Sequence, residues 1–581
     1  VARNSSTSSI HKLSDSRSKT TPEPSNEAID LNVLKAINNS STQLSINETK
    51  KDKTVVGNRY LKKGESLILI SIGTTDLRDE TPAIELNKIP STEIHSTELD
   101  SALSLVVTSP NVDPENKYSL SLPLDDNHGS STDPITFKCI DEDPFNATLY
   151  FDLIPTFDYE VNKVSSTNKK LGRGVAILKN LYTGVGSNKR SLFNCVRIPI
   201  LSVNTMEVIG VIKFEVLIVK SFEETDSIPL DADIYWKSLR HPRLIGHRGN
   251  GMNSRNKKSL QLGENTVESF IAAASLGAQY VEFDVQLTKD DIPVIYHDFI
   301  IAESGIDIPM QSLTLEQFMH LNLGKDKHNN VKENAKIVKD DLYIRARSKS
   351  NNKLEEFDED TSNQLNNERM KLTKTWKAKE FKANTRGSTI ASSFTTLEEL
   401  FDKVPKEAGF NIELKYPMLD ESEADDIGQI APEMNHFCDV ILQLVYKKYN
   451  NRNVIFSSFH PDICLIMTLK QPSFPVLFLT ESGVNFMADV RASSLQNAIR
   501  FAKNWKLFGI VSDSVPLIKC PRLASVVKAS GLACFTYGSE NNNPENARLQ
   551  IDAGVDAVIV DSVIAVRNEL SRYDDELSKL N

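Results

Sequence analysis

Tyr280-Val-Glu-Phe-Asp-Val-Gln-Leu-Thr-Lys-Asp-Asp-Ile-Pro-Val-Ile-Tyr-His297 contains two apolar runs, Tyr280-Val285 and Val294-His297, with only about eight residues, Gln286 to Pro293, between them. A parallel crossover needs a dozen residues or more, whereas an antiparallel return needs few. The second run therefore folds back beside the first, with a turn centred near Asp290 and Tyr296 roughly opposite Asp284. Seven further runs read as buried strands: Leu244-Gly246, Phe410-Leu414, Val454-Ser458, Val476-Leu479, Gly509-Ser512, Ala533-Thr536 and Ala557-Val560. Amphipathic stretches such as Thr266-Leu276 and Leu495-Asn504 lie between most of them. Strand-helix alternation implies a parallel sheet with helical crossovers. With the return set aside, eight parallel strands remain, as a (β/α)8 TIM-type barrel requires.

The rest of the chain divides by composition. Residues 1–54 are rich in Ser, Thr, Asn and Lys and read as a disordered lead. From 55 to 222, short alternating runs such as Ser66-Ile72, Thr148-Ile154 and Val208-Val219 imply an all-β, sandwich-like module, with one helix expected around Gly174 to Leu181. Its sequence lacks a His-plus-carboxylate cluster, so a binding or scaffolding role is expected of it. Residues 223–240 read as a linker and 241–575 as the barrel. The stretch from about 324 to 390 is polar and charged; it reads as a long insertion over the catalytic face, with a charged helix at Leu365 to Lys379.

A net charge of -11 argues against nucleic acid or an anionic membrane as the main partner. No apolar run reaches the roughly 18 residues of a transmembrane helix. Six scattered cysteines, without metal-site spacing, suit reduced thiols and a cytoplasmic location. The start, Val1-Ala-Arg-Asn4, has neither an initiator Met nor an apolar signal segment, which suggests a fragment whose upstream regulatory regions are missing.

The chemistry clusters at strand ends. Glu282 and Asp284 stand two apart, so both point to one face of their strand; Glu413 and Lys415 repeat that geometry. A lone Glu-x-Asp pair is usually an exposed strand face, and a lone histidine is often a satisfied core residue. Several such groups at the strand ends of one barrel are not chance. Three converging carboxylates repel unless protonated or bound to a cation, and oxygen ligands favour one divalent cation, Mg2+ or Ca2+. Arg248 and Lys415 beside it suit a phosphate, the arginine as a fork and the lysine as a point charge. His247 and His297 then supply an acid and a base, in an order the residues leave open.

These motifs resemble the glycerophosphodiester phosphodiesterase family. The likeness lies in Gly246-His-Arg-Gly249, Glu264-Asn-Thr266, Glu282-Phe-Asp-Val285, His297-Asp298, Ile412-Glu-Leu-Lys415, Phe456-Ser-Ser-Phe459 and Gly554-Val-Asp-Ala-Val-Ile-Val-Asp561. It covers about residues 241 to 570, and with the insertion and the β-rich block it is closest to the fungal glycerophosphocholine phosphodiesterases, which carry SPX and ankyrin regions further upstream. The resemblance implies hydrolysis of glycerophosphodiesters, glycerophosphocholine above all, to sn-glycerol 3-phosphate and choline. It implies His247 and His297 as the acid/base pair, Glu282, Asp284 and Glu413 as metal ligands, and Arg248 and Lys415 as phosphate contacts. Glu264 and Asn265 are expected to support these groups, Glu264 by orienting Arg248 or a strand-end loop. Where family members often have a Trp-Thr-Val-Asn-like motif, this chain has Phe535-Thr-Tyr-Gly538, which puts Phe535 at the Trp position. Tyr537 and Glu540 are then expected to contact a choline headgroup by cation–π attraction and charge. The rival readings are a phospholipase-type barrel acting on lysophospholipid or phosphoinositide, which needs an apolar ridge or basic patch at its mouth, and a non-catalytic phosphodiester sensor. The latter has no use for the full set of histidines and carboxylates.

Overall fold

The computed structural model describes residues 60–86, 103–124, 133–155, 170–181, 188–223, 243–253, 262–302, 305–321, 368–369, 371–379 and 393–580, all within one unit, Asn58–Asn581. The expected lead, nearly all of the linker and most of the 324–390 insertion lie outside them. Within the insertion, Lys374–Lys379 is helical.

The first block is a sandwich of antiparallel strands. These are β1 (Glu65–Ile72), β2 (Ile84–Leu86), β3 (Leu103–Ser109), β4 (Asp113–Leu122) and β5 (Ile135–Ile140). They continue with β6 (Thr148–Pro155), β7 (Gly172–Ile177), β9 (Cys195–Ser202) and β10 (Val208–Lys220). The strand order is β4-β3-β6-β7-β9-β10-β1-β5, with β2 on β10, and β7 joins β9 by only two residue pairs. Inward residues of the two layers meet in one aliphatic and aromatic core, where the Phe151 and Phe214 rings lie 4.7 Å apart. The helix expected at Gly174 to Leu181 is a correction: Gly172–Ile177 is a strand whose residues alternate between buried and open, and only Leu178–Leu181 is helical. The period of two and the branched Val175 and Ile177 favour the strand.

The second block closes into a barrel. Its parallel strands are β11 (Arg243–Gly246), β12 (Tyr280–Leu287), β16 (Gly409–Leu414), β18 (Val454–Ser458), β19 (Val476–Thr480), β20 (Gly509–Asp513), β21 (Ala533–Tyr537) and β22 (Ala557–Val560). Each pairs with the next, and β22 pairs with β11 to complete the ring. Inside it, Ile245, Tyr280, Ile455, Leu477, Val511, Phe535 and Ile559 fill the interior. Outside, strand residues such as Phe283, Phe410 and Phe456 pack under the helices. Covered on both sides, the strands are apolar without alternation.

The hairpin return is β13 (Pro293–Ile295), antiparallel to the end of β12, with Val285 opposite Ile295 and Leu287 opposite Pro293. The Tyr296 N–H donates to the Asp284 carbonyl at 3.0 Å. The pairing involves the part of β12 that runs to the barrel's rim, so the chain turns back and delivers His297 to the mouth. A small hairpin follows, β14 (Ile300–Ile301) on β15 (Ile308–Pro309).

Sandwich and barrel share a polar seam. Strand β8 (Lys189–Ser191) pairs antiparallel with β17 (Ile430–Pro432) of the barrel block. Arg491 donates to Asp489 at 2.6 Å and to Asp462 at 2.5 Å. Glu215, on β10, accepts from the Thr74 and Thr75 hydroxyls at 2.6 and 2.9 Å and from the Thr75 N–H at 3.1 Å. Lys470 gives its protons to the Lys220 carbonyl and to Asp439.

Candidate active site

The turn after β11 positions two site residues. At Gly246 a Cβ would meet the Gly249 carbonyl oxygen at 2.2 Å, and Gly249 itself has φ +92°, so both positions require glycine. Between them His247 donates its backbone N–H to Val560, and Arg248 sits at φ 48°. A bulky residue in the left-handed region costs about 1–3 kcal/mol and is held there only by its surroundings. The Arg248 N–H donates to Glu282 Oε2 at 2.9 Å, and its guanidinium donates to Glu264 Oε1 at 3.0 Å and stands 3.6 Å from Asp284. Glu264 also accepts from the Asn253 N–H at 2.6 Å, tying Arg248 to the loop that follows it. Asn265, left-handed like Arg248 at φ 54°, donates to Asp284 Oδ2 at 3.0 Å.

Glu282, Asp284 and Glu413 are all buried, and ligand oxygens from the three lie within 4.8 Å of one another. Strand register explains this: Asp284 on β12 is opposite Glu413 on β16, and Glu282 lies one side-chain repeat below on the same face. Burial and the neighbouring Asp284 charge raise the pKa of Glu282. Glu413 is raised by burial and by Asp284, against the pull of Lys415. Burial also works against the Asp284 anion, but His297, Arg248 and Lys415 outweigh it and keep that pKa low. Asp284 Oδ1 is buried with no hydrogen-bond partner. An orphaned carboxylate oxygen inside an all-oxygen triad fits a hard divalent cation. Lys415 Nζ stands 3.6 Å from Glu413 and 5.1 Å from the Phe299 ring centroid.

Each histidine is held by an aspartate. His247 Nδ1 lies 2.8 Å from Asp561 Oδ1, and His297 Nδ1 lies 2.7 Å from Asp298 Oδ1. Burial disfavours the charged His247 ring, yet the Asp561 hydrogen bond and charge raise its pKa above the usual histidine value. For His297, burial together with the Arg248 and Lys415 charges wins, and its pKa falls to about 4. Asp561 is fixed in turn by the Met252 N–H and the Asn542 amide and titrates at about 2.

The seven core residues expected from sequence thus lie around one mouth, with Glu264 and Asn265 bonded to them. Tyr537 ends β21 at the same rim, and Glu540 is exposed in the turn after it. Sequence reading gave no role to Asp298 and Asp561. Both were visible in motifs, one beside a histidine and one closing an apolar strand, but only ring closure between β22 and β11 brings Asp561 to His247.

Comparison with known proteins bears on the same residues. Residues 247–565 match the glycerophosphoryl diester phosphodiesterase family model, and residues 62–223 match a GDE1-like C2 domain. The chain is 51% identical to glycerophosphocholine phosphodiesterase GDE1 of Candida albicans over 99% of this chain and 49% of that one. It is 40% identical to the enzyme of that name from Schizosaccharomyces pombe, over 77% of this chain and 41% of that one. The chain therefore spans about half the length of these curated relatives or less. A phosphodiesterase from Oleispira antarctica, solved with the product sn-glycerol-3-phosphate, overlaps 57% of this chain and 97% of its own at 17% identity and a TM-score of 0.36. By the family match over its barrel and by its identity to the fungal relatives, the chain belongs to the glycerophosphoryl diester phosphodiesterase family.

Proposed function

We propose that the barrel hydrolyses glycerophosphodiesters, glycerophosphocholine foremost, to sn-glycerol 3-phosphate and the free alcohol. The observation that carries this reading is the buried triad Glu282, Asp284 and Glu413, flanked by two aspartate-held histidines and by Arg248 and Lys415. The names of the fungal relatives support glycerophosphocholine as the substrate. The three carboxylates would hold one divalent cation, Mg2+ or Ca2+, which when bound neutralises charge on the phosphate and acidifies a bound hydroxyl.

Arg248 and Lys415 grip the non-bridging phosphate oxygens. His297, held neutral by burial and the positive charges around it, takes the proton of the attacking water at Nε2 while Nδ1 donates to Asp298. His247, held toward the protonated form by Asp561, gives its Nε2 proton to the leaving choline oxygen as the P–O bond breaks. Water thus adds its hydroxyl to phosphorus and, through the histidines, a proton to the alcohol.

The test is a panel of glycerophosphodiesters assayed with Mg2+, with Ca2+ and with chelator. Release of glycerol 3-phosphate that depends on cation is expected, and is abolished in His247→Ala and Glu282→Ala. Near-normal turnover in either variant sinks the assignment. No described helix is long and apolar enough to cross a membrane.

A further inference from the structure

The mouth of the barrel has two chemically distinct halves. Strands β22, β11, β12 and β16 lead to Asp561, His247, Glu282 with Asp284, and Glu413 with Lys415. The other four strands, β18 to β21, lead to Phe459, Glu481, Asp513 and Tyr537. The first half mixes both signs of charge; the second is aromatic and acidic.

Phe459 and Tyr537 meet edge to face, their centroids 5.8 Å apart and their planes at 85°, so the two rings form a corner. Asp513 is the register partner of Tyr537. Burial, then the Glu481 and Asp513 charges and a hydrogen bond with Glu481, raise the pKa of the Tyr537 phenol. Burial and the charges of Glu481 and Glu540 likewise raise Asp513. The neighbouring strand ends are in register as well, Thr480 with Ser512, and the Ser482 and Ser512 hydroxyls lie 2.7 Å apart, which brings the strand ends carrying Glu481 and Asp513 together. A Cβ at Gly538 (φ +111°) would lie 3.2 Å from Asp513 Oδ2, so a glycine there leaves that carboxylate uncrowded.

Among the described residues these carboxylates have no counter-ion. Glu481 accepts from the Asn485 amide at 3.0 Å, Asp513 from the Val515 N–H at 2.8 Å and Glu540 from the Asn546 amide at 3.1 Å. Among the described residues none of the three forms an ion pair with a lysine or arginine. Nor do their oxygens converge as those of Glu282, Asp284 and Glu413 do, so the set is too open for a bare metal ion. A large, weakly hydrated cation suits it better. Such an ion gains from ring faces and from carboxylates it does not directly coordinate.

We propose that Phe459, Tyr537, Glu481 and Asp513 form a subsite for a quaternary-ammonium headgroup, with Glu481 and Asp513 as its specificity-determining residues. Glu540, exposed and bonded to Asn546, stands at its rim. The proposal rests on the hydrolytic reading above: the phosphate lies on the catalytic half, and the leaving alcohol extends across the mouth onto the acidic half.

The test uses the full chain and two diesters, glycerophosphocholine and the uncharged-headgroup glycerophosphoglycerol. The double variant Glu481→Gln/Asp513→Asn is expected to lower kcat/KM for glycerophosphocholine about tenfold, mainly through KM, and to leave glycerophosphoglycerol within about twofold. Tyr537→Leu is expected to act in the same direction. An equal loss on both substrates, or no loss on glycerophosphocholine, overturns the subsite. Tetramethylammonium, measured by ligand-observed NMR, is expected to bind the wild type and not the double variant; equal binding, or none to either, also overturns it. If the wild type hydrolyses neither diester, the hydrolytic reading fails, and the tetramethylammonium measurement still decides the subsite.

Discussion

The seam between sandwich and barrel and the mouth of the barrel both bury ionisable groups, and they treat them in opposite ways. At the seam Arg491 forks onto two aspartates, Glu215 accepts three hydrogen bonds from Thr74 and Thr75, and Lys470 meets a carbonyl and Asp439. At the mouth three carboxylates face one another, Asp284 Oδ1 has no partner, and Arg248 is held in a left-handed conformation. Buried polar groups are normally satisfied, because leaving one unmade costs about 1–3 kcal/mol. A satisfied network therefore reads as architecture, and an unsatisfied one as a place reserved for something else.

Substitution can break that contrast. The largest effect is expected at the mouth: Glu282→Gln lowers kcat/KM for glycerophosphocholine by about a thousandfold. Burial and the Asp284 charge already disfavour the Glu282 anion, and a glutamine can still accept from the Arg248 N–H, so the cation-free protein melts no lower than wild type. A Tm drop on that variant would show that Glu282 belongs to the architecture instead. Next comes the seam, where Arg491→Ala strands Asp462 and Asp489 and is expected to cost about 3–5 kcal/mol in denaturant unfolding. Activity per folded molecule at the mouth should survive it.

Cation binding sharpens the comparison further. Mg2+ or Ca2+ at a hundred times its Kd is expected to stabilise the wild type by about 2.7 kcal/mol, read as a Tm rise that chelator reverses and that Glu282→Gln lacks. The smallest effect concerns pH. Asp561 holds His247 above the ordinary histidine pKa, so this ring's pairing stabilises the fold below about pH 6.5 and is lost as pH rises through the elevated value. Asp561→Asn removes that support, and the alkaline limb of the kcat/KM profile is expected to move to lower pH. A limb that stays in place would assign the proton donor elsewhere.

Much of this was legible in the chain. Eight barrel strands could be read because each is a short apolar run, and the hairpin because eight residues are too few for a crossover. Glu282, Asp284 and Glu413 stood out because spacing of two on a strand fixes a common face. The strand at Gly172–Ile177 was misread because its two glycines blur the alternation. Pairings between distant segments left no local trace. Neither the Asp561–His247 contact nor the Arg491 fork has a periodicity to announce it, since each depends on which strand or loop the finished fold sets alongside.

The pairing of β8 with β17 has a practical consequence for expression. A barrel excised from its sandwich would present the edge of Ile430–Pro432 unpaired, together with the apolar surfaces of Leu61, Leu217 and Val219's partners in the shared core. An open edge of that kind recruits other chains. Truncation at the start of the barrel is therefore expected to yield self-associating material, and the shortest well-behaved protein begins with the sandwich.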